Sequence, residues 1–459
     1  MPPPTTYIAD LKEALTGDRE ARFVWLCNFE VERRWARDRV GLPTAPVSAT
    51  SATVQRMEEL GALLAEPGDH LLLDRPLDRN YRDYLEKTGL GAPVELVTRR
   101  PAGADGTSGA VLDSPDLLAE LRRLAGHGAW LMPMGNSSLE QRITELTGLR
   151  AAVPPADVCE RVNSKIYSRR LTRELGLREI PGFSATTVEE LRQALDLGLA
   201  GGGPVIVKDA YGVSGRGLLV VNGRRRADQL LRMVERRSAR TGDDGIHVVV
   251  ETFLAKRFDL NYQFTIDRSG RVWFDFVKQA ITADGVHLGH LMPAELSAAQ
   301  HDELVRAAQA LGTRLYEDGF FGVVGVDALL GADDVIYPVL EINARLNMSS
   351  YQGRLTERFL ASDGVALARH YPMRLDRPLS FTELADATGF GAEPAPGEAD
   401  VVITCFGTVN AQHAGDGDGT PFDGRLYTLL FARDRAELDM LDRRMTAALA
   451  PLQATGGTS

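Results

Sequence analysis

Short apolar runs alternate with stretches of helical periodicity in the first third of the chain. Each short run predicts a buried β-strand, whereas apolar residues that recur every three or four positions predict helices. The runs are Phe23–Phe29, His70–Asp74, Val94–Thr98 and Trp130–Met132. Because strands that alternate with helices form layered sheets, we predict an open α/β domain over residues 1–154.

Polar residues follow two of these strands, at the end where open α/β sheets bind ligands. The first group comprises Glu30, Glu32, Arg33, Arg34 and Trp35, for which we favour a solvated helix face. The second group is Gly-Asn-Ser-Ser at 135–138. Those residues either present backbone N–H groups to an anion or, as we favour, cap the following helix.

A glycine-rich segment separates two strands in the middle of the chain. The strand Val205–Lys208 ends in lysine, and Leu218–Val221 follows the segment. Such a loop can fold its backbone N–H groups over phosphate oxygens. Because it joins two strands and opens no helix, it is neither a Walker A loop nor a Rossmann fingerprint. The residues that would form this cradle are Gly212, Ser214, Gly215 and Gly217.

Two further apolar runs, Val323–Leu330 and Val335–Ile342, flank a short turn and predict a β-hairpin. The polar side chains that interrupt its apolar pattern are Asp327, Glu341, Asn343 and Arg345. The last three are two positions apart and therefore share one strand face. Isolated carboxylates are unfavourable on a buried surface, and hard cations with oxygen ligands would neutralise them. We predict one wall of a nucleotide site that binds Mg²⁺, in preference to a surface hairpin with solvated charges.

Composition limits the partners and the compartment. The chain has 459 residues, of which 44% are apolar and 25% charged, as in globular proteins of two or three domains. A net charge of −11 argues against nucleic acid or an anionic membrane as partner. The three cysteines form no CxxC pair, and no apolar run resembles a signal peptide or membrane span, so we expect a reduced, cytoplasmic protein.

Lysine is rare and occurs at informative positions. The chain has six lysines among 52 basic residues, so arginine supplies its general charge. Lysine offers a compact point charge, which suits a phosphate oxygen. Three of the six are Lys165 in the first turn of a predicted helix, Lys208, and Lys278 at the end of the strand Trp273–Lys278.

Taken in order, these features resemble the ATP-grasp ligases over residues 155–355. The elements of the resemblance are Lys165, Lys208, the loop 212–217, the strand that ends at Glu251–Leu254, Lys278, Asp327 and the Glu-Ile-Asn-Ala-Arg strand. Each motif is weak alone, but their order and spacing are specific. The resemblance implies an ATP-grasp domain over residues 155–371, with a lid subdomain over about 183–254.

By this resemblance ATP is bound by the lysines and by a hinge. Lys165 and Lys208 would bind the α- and β-phosphates, and Lys278 the γ-phosphate. The residues implied for adenine and ribose are Glu251, Thr252, Phe253, Leu254 and Asp259.

The resemblance also assigns the predicted hairpin. Two Mg²⁺ ions would be held by Asp327, Glu341 and Asn343, and Arg345 would stabilise the transferring phosphoryl group or the acyl phosphate. Gly325 departs from the D-alanine ligase branch, which has arginine at this position. Candidates for binding the acceptor or the anionic intermediate are Asn347, Ser349, Ser350 and Arg354.

The flanking regions narrow the family. An N-terminal α/β domain and a small α+β domain over residues 372–459 look like the pheganomycin-type peptide ligases of natural-product biosynthesis. That likeness implies an amide bond formed through an acyl phosphate, between a carboxylic or amino acid donor and an amine or peptide acceptor. Independently of the likeness, a homodimer is the common default assembly. We expect the N-terminal domain and loops at 280–293 and 346–354 to select the substrates.

Two alternatives stay open at this point. One is a different ATP-grasp reaction, catalysed by a small-molecule kinase or a carboxylase, which the product would distinguish. The other is a nucleotide-binding regulator without turnover, in which erosion of the site residues would be expected. Because Lys165, Lys208, Asp327, Glu341 and Arg345 are all present, we expect an active enzyme.

Overall fold

The computed structural model describes residues 6–37, 39–43, 49–91, 93–99, 103–212, 217–283, 286–390, 397–413 and 420–454. Three β-sheets organise these residues. Within those ranges, no helix combines the length and the apolar composition that crossing a membrane requires. Cys27, Cys159 and Cys405 are buried free thiols.

The first sheet is parallel and has five strands in the order β3-β2-β1-β4-β5. Its strands are β1 (Phe23–Leu26), β2 (His70–Leu73), β3 (Val94–Val97), β4 (Trp130–Pro133) and β5 (Arg150–Ala151). The strand order reverses between β1 and β4, and open parallel sheets form a ligand crevice at such a switch point. Strand β1 is wholly buried, and β2 and β4 are buried except at their first residues, as their continuous apolar runs predict.

Helices flank this sheet and lead out of it. They are α1 (Tyr7–Thr16), α2 (Val31–Trp35), α3 (Ala49–Arg56), α4 (Arg79–Lys87), α5 (Gly106–Leu112), α6 (Pro115–Gly126), α7 (Ser138–Thr147) and α8 (Ala156–Val162), with a 3₁₀ helix at Met57–Leu63. Ser137 caps α7 in a capping box with Glu140, which confirms the capping interpretation of residues 135–138.

The second sheet has four antiparallel strands in the order β6-β9-β7-β8. The elements here are α9 (Lys165–Glu174), β6 (Gly182–Thr187), α10 (Val188–Leu199), β7 (Val205–Asp209), β8 (Leu218–Val221), α11 (Arg224–Thr241) and β9 (Gly245–Thr252). Strands β7 and β8 pair with Lys208 opposite Leu218, so the predicted glycine-rich hairpin is confirmed. Ser214 and Gly215 lie outside the described residues.

The third sheet has eight strands in the order β14-β13-β10-β11-β12-β15-β17-β16. The elements are β10 (Lys256–Ile266), β11 (Val272–Ala283), β12 (Val286–Met292), α12 (Ala298–Glu317), β13 (Gly322–Gly331), β14 (Ile336–Asn343), α13 (Ser350–Phe359), β15 (Val365–Leu375), α14 (Phe381–Thr388), β16 (Asp400–Cys405), β17 (Phe422–Ala432), α15 (Arg435–Leu449) and a 3₁₀ helix at Ala450–Leu452. The antiparallel pair β13–β14 is the predicted hairpin.

Two sequence expectations about this region differ from the structure. Residues 280–293 are not mainly a loop, because β11 and β12 occupy most of them and pair with each other. Strand β15 runs through the predicted domain boundary at 371/372 and pairs with β12 and β17. The C-terminal strands β16 and β17 therefore extend the third sheet, hereafter the central sheet, because their buried apolar residues join its core.

A buried glutamate at the carboxyl edge of the parallel sheet links stability to pH. Glu58 accepts hydrogen bonds from the Asp74 backbone N–H (2.7 Å) and the Thr107 hydroxyl (2.7 Å). Burial raises the pKa of the Glu58 carboxyl from 4.5 to about 8. The folded protein therefore binds this proton more tightly than the unfolded chain does. The stability that this difference in proton affinity provides is fully present below pH 4.5 and is lost as the pH rises through about 8.

We predict that Glu58→Gln reduces the fall in thermal midpoint between pH 5.5 and pH 8.5, because the neutral amide cannot ionise. Differential scanning calorimetry at both pH values measures this change. Glu145→Gln, at an exposed position on α7, is the matched control and should keep the wild-type pH dependence. An unchanged pH dependence in Glu58→Gln would contradict the assignment.

Candidate functional site

Four polar side chains form a row across the third sheet. Lys278 on β11 pairs in register with Asn261 on β10, Asn261 pairs with Asp327 on β13, and Asp327 pairs with Glu341 on β14. Residues that face each other in an antiparallel ladder project from the same face. The register therefore brings together residues that are up to 80 positions apart in the chain. The residue spacing within the β13–β14 hairpin predicts only the contacts of that hairpin's own residues.

Two ionisable groups of this row, Asp327 and Lys278, have shifted pKa values. Burial, and then the neighbouring Glu341 carboxylate, raise the pKa of Asp327 to about 6. Burial lowers the pKa of Lys278 to about 7, and Asp327 opposes that shift. Asn261 donates its amide to Asp327 Oδ1 at 2.7 Å. An anionic ligand would therefore stabilise the charged form of Lys278, and a bound cation would stabilise the charged forms of Asp327 and Glu341.

Lys165 connects this row to the glycine-rich hairpin. As the first residue of α9 it projects toward β14, because Ser164 caps the helix and fixes its start. Its Nζ donates to Glu341 Oε1 and to the Gly212 carbonyl, both at 2.6 Å. The predicted helix lysine, metal carboxylate and glycine-rich segment therefore meet at one point.

Lys208 lies in a second charged cluster on the four-stranded sheet. Its Nζ donates to Glu251 Oε2 at 2.7 Å, and the other oxygen of Glu251 accepts from Arg169 Nη1 at 3.2 Å. Arg169 is one helical turn after Lys165 and also donates to the carbonyls of Ile180 and Gly182. The Glu251 carboxylate is thus held by two cations.

The neighbouring row of the third, eight-stranded sheet contains Gly325, the position at which the D-alanine ligase branch has arginine. Gly325 lies opposite Gln263 on β10 and Asn343 on β14. A Cβ atom on Gly325 would come within 2.6 Å of Asn347 Nδ2, so Asn347 occupies the space over this position. Asn347 Oδ1 accepts from the Ser349 backbone N–H at 2.7 Å, which aims the buried Nδ2 group over the sheet.

Arg345 is held by a residue of the N-terminal region. Its Nε donates to Glu32 Oε1 at 2.8 Å, and its Nη2 contacts the same oxygen. Nη2 also donates to Asn343 Oδ1 at 2.9 Å. Glu32 is on α2 and is 8% exposed, so the favoured interpretation of a solvated helix face is wrong for this residue. Trp35, on the same helix, is also buried.

The other predicted site residues separate into three groups. Thr252 ends β9, and Phe253 and Leu254 follow it, with the Phe253 ring about half exposed. The Asp259 carboxylate forms an ion pair with Lys256. Ser349 and Ser350 are buried, and the Ser350 hydroxyl donates to Gln263 Oε1 at 3.0 Å.

Arg354 does not join the site, contrary to the sequence expectation. Its guanidinium is buried and donates to the backbone carbonyls of Leu63, Ala65 and Leu90. The helix α13 turns this side chain away from the sheet face and toward the N-terminal region. Arg354 therefore joins two parts of the fold and leaves Arg345 as the arginine of the candidate site.

Sequence reasoning missed Arg169 and Asn261, and it favoured a solvated position for Glu32. Arg169 follows Lys165 by four positions on a predicted helix, so a shared helix face was a usable signal. Asn261 lies within β10, and only the strand register shows that it faces Asp327. Glu32 lies more than 300 residues from its partner, and no local pattern marks that contact.

The donor set suits magnesium better than a transition metal. Asp327 and Glu341 present two carboxylates from directly paired strand positions, and Asn343 lies two residues beyond Glu341. Within the described part of the chain, no group of three or more His, Cys, Asp and Glu side chains has metal-binding geometry. A site of two carboxylates and an amide fits an ion that takes its remaining ligands from phosphates and water.

Comparison with protein families identifies two domains. Residues 55–149 match the Pre ATP-grasp domain, and residues 164–365 match the ATP-binding domain of the carbamoyl-phosphate synthase L chain. The chain is 29% identical over 203 residues to the [Butirosin acyl-carrier protein]--L-glutamate ligase of Niallia circulans, which covers 43% of this chain and 46% of that protein. It is 34% identical over 185 residues to the carbamoyl phosphate synthase large chain of Xylella fastidiosa, which covers 39% of this chain and 16% of that protein. The chain thus spans less than half the length of these relatives.

Solved structures share the fold over nearly the whole chain. A biotin carboxylase from Campylobacter jejuni aligns with a TM-score of 0.55 and 14% identity, covering 94% of this chain and 96% of that one. An N5-carboxyaminoimidazole synthetase from Staphylococcus aureus aligns with a TM-score of 0.52 and 12% identity, covering 94% and 97%. Together with the family matches, these alignments confirm an ATP-grasp fold preceded by a pre-ATP-grasp domain.

We predict that Arg169→Met weakens ATP binding and lowers the thermal midpoint. Removing Arg169 leaves Lys208 as the remaining cation of Glu251 and takes a hydrogen-bond donor from the Ile180 and Gly182 carbonyls, at a cost of about 1–3 kcal/mol. Without Arg169, the Glu251 carboxylate would compete more strongly for Lys208. Calorimetric titration with MgATP and a thermal melt measure the two effects. Arg173→Met is the matched control, because Arg173 is on the same helix with a side chain that is 62% exposed; equal behaviour of the two variants would contradict the role of Arg169.

We also predict energetic coupling between Gly325 and Asn347. The Cβ of Gly325→Ala would clash with the Asn347 amide and displace it, whereas Asn347→Ala removes the clashing group. In a double-mutant cycle, Gly325→Ala should therefore destabilise the wild type by about 1 kcal/mol or more beyond its effect in the Asn347→Ala background. Chemical denaturation measures the cycle. Gly201→Ala, where a Cβ meets no atom within 4 Å, should show no coupling; additive effects at Gly325 and Asn347 would contradict the contact.

Proposed function

Because this chain is an ATP-grasp protein, we propose that it is an ATP-dependent carboxylate–amine ligase. It would form an amide bond through an acyl phosphate and release ADP and phosphate. Its resemblance to the pheganomycin-type enzymes supports an amino acid as the acyl donor and the amino terminus of a peptide as the acceptor. The ligase relative of Niallia circulans supports the same reaction class over the matched part of the chain.

The observation that carries this proposal is the meeting of three cations with the polar row. Lys165, Lys278 and Arg345 converge on Asp327, Glu341 and Asn343 without a nucleophilic hydroxyl or thiol among them. Such a set suits transfer of a phosphoryl group between bound substrates, because the protein then supplies position and charge. It does not suit a covalent enzyme intermediate.

We assign the ATP-binding roles as the resemblance implies. Lys165 and Lys208 bind the α- and β-phosphates, with the glycine-rich segment that includes Gly212, Ser214, Gly215 and Gly217 closing over them. Lys278 binds the γ-phosphate. The backbone of Thr252, Phe253 and Leu254 holds adenine, and Asp259 binds the ribose hydroxyls once it leaves Lys256. In this arrangement Glu251 acts with Arg169 to position Lys208 and does not contact adenine itself.

Asp327, Glu341 and Asn343 would hold the magnesium ions. When bound, Mg²⁺ neutralises the triphosphate and aligns its terminal phosphate for in-line transfer. The Lys278 ammonium would contact the same phosphate. A bound anion would raise the pKa of Lys278 and so favour this charged form. Lys165 joins the metal carboxylate Glu341 to the lid, so closure of the lid and assembly of the site are linked.

The reaction then takes two steps. A carboxylate oxygen of the donor attacks the γ-phosphorus, the bond to the β-phosphate oxygen breaks, and ADP leaves. The acceptor nitrogen next attacks the carbonyl carbon, forms the C–N bond, expels phosphate and loses a proton. Arg345 and the Asn347 amide stabilise the anionic oxygens, and Ser349 and Ser350 support the loop that positions Asn347.

A carboxylase is the second candidate, since the fold is shared with carboxylating enzymes. The identities to those structures are 14% and 12%, however, and similarity at that level reports the fold alone. A kinase or a silent regulator has no particular observation in its favour. The amide product separates the ligase from all of these alternatives.

The proposal predicts ADP release with a new product mass equal to donor plus acceptor minus water. The test is a turnover assay with MgATP and a mixed pool of amino acids and short peptides, read by mass spectrometry. In a parallel reaction, hydroxylamine replaces the peptide and should convert an acyl phosphate to a hydroxamate. Lys278→Met should abolish both products, and Lys87→Met, on α4, is the matched control. AMP release, a carboxylated product or a phosphate ester would contradict the ligase.

A further inference from the structure

The Glu32–Arg345 ion pair crosses from the pre-ATP-grasp domain to the ATP-grasp sheet. Glu32 is on α2, directly after β1, and Arg345 follows the last strand position of β14. Both side chains are 10% exposed, and the guanidinium contacts Glu32 through two of its nitrogens. The pair therefore lies beside the β1–β4 switch point of the parallel sheet, the end at which open sheets place ligands.

The surrounding backbone fixes both partners. Trp35 Nε1 donates to the Asn136 carbonyl at 3.0 Å, which ties α2 to the end of β4. The Leu346 N–H donates to the Met134 carbonyl at 3.0 Å, which ties the residue after Arg345 to the same strand end. The carboxylate and the guanidinium thus face one another across a rigid junction.

The three carboxylates that hold the site's cations differ in what else they contact. Glu341 lies opposite Asp327 in the proposed metal site, and Glu251 keeps Arg169 if Lys208 binds a phosphate. For Glu32, Arg345 is the cation named by its hydrogen bonds and ion pairs among the described residues. An anion that bound Arg345 would therefore leave the buried Glu32 carboxylate with the charge of Lys165, whose Nζ already donates to Glu341. Loss of its hydrogen-bonded cation is strongly unfavourable for a buried carboxylate.

We propose that Glu32 determines substrate specificity by binding the ammonium group of an amino acid donor while Arg345 binds its carboxylate. This inference rests on the proposed function and adds the residue that selects an amino acid over a simple carboxylic acid. A zwitterion replaces both halves of the ion pair at once, so neither buried charge is left alone. Because the two protein groups are in direct contact, the ammonium and carboxylate of the donor must be close together, as in an α- or β-amino acid.

A simple carboxylic acid lacks the second half of this exchange. It would occupy Arg345 and leave Glu32 uncompensated, so it should bind more weakly than the amino acid of the same carbon skeleton. Truncating one side of a buried, hydrogen-bonded charge pair weakens binding by about tenfold or more in comparable interfaces. The difference between matched acids isolates Glu32 from the rest of the site.

The test compares binding of matched acids to the full chain in the presence of MgADP. The probes are the proteinogenic amino acids and β-alanine, each paired with its des-amino acid, and isothermal titration calorimetry measures affinity. In wild type, at least one amino acid should bind about tenfold or more tightly than its des-amino partner. Glu32→Gln should abolish that preference, and Glu32→Asp should retain part of it.

The matched control is Glu160→Gln, which replaces a partly exposed glutamate paired with Arg39 and should leave the preference unchanged. The inference is overturned if the amino acid and des-amino acid bind equally, if no amino acid of the panel binds, or if the preference survives in Glu32→Gln. Because binding with MgADP requires no turnover, these results are independent of the ligase assay. A protein that selects amino acids yet forms no amide would contradict the proposed reaction and retain the role of Glu32.

Discussion

Charge compensation on one face of the central sheet is the constraint on which the candidate site depends. Lys278, Asp327 and Glu341 project from strands whose other face is an apolar core. An isolated ion in such a place is strongly destabilising, so each charged group requires an opposite charge or a hydrogen-bond donor beside it. The antiparallel register supplies these neighbours, because it places side chains of four strands in one row. The strand register that satisfies these charges therefore also assembles the candidate site.

This constraint also determines how the cations of the site can bind ligands. Each of three cations contacts a carboxylate of the protein, and a buried pair of this kind adds little net stability while it fixes both positions. A phosphate or carboxylate ligand must compete with that carboxylate. Ligand affinity consequently depends on the fate of the displaced group, which differs from pair to pair. The pairs are Lys165–Glu341, Lys208–Glu251 and Arg345–Glu32.

The amino-acid sequence predicted most of the residues to which we assign ATP binding and few of those to which we assign acid binding. The β13–β14 hairpin, the strand-end Lys208 and the start of α9 follow from local apolar periodicity and capping, and the structure confirms these elements. Arg354 was misassigned because its distance along the chain from β14 says nothing about the direction in which α13 turns its side chain. Glu32 was interpreted as solvated because an isolated helical segment with several charges usually is, and only tertiary contact with Arg345 buries it.

This asymmetry has a physical origin in the fold. Many of the residues proposed to bind ATP lie on antiparallel strands, where a period of two fixes which side chains share a face. The residues proposed to bind the acid meet at a junction between two sheets, where β1 and β4 end against the segment that follows β14. Changing α2 can alter the charge opposite Arg345 while leaving the polar row and its register intact. A domain arranged in this way can keep one phosphoryl-transfer site and vary the acid that it activates, which is why the substrate class is better inferred from the Glu32–Arg345 junction than from the nucleotide motifs.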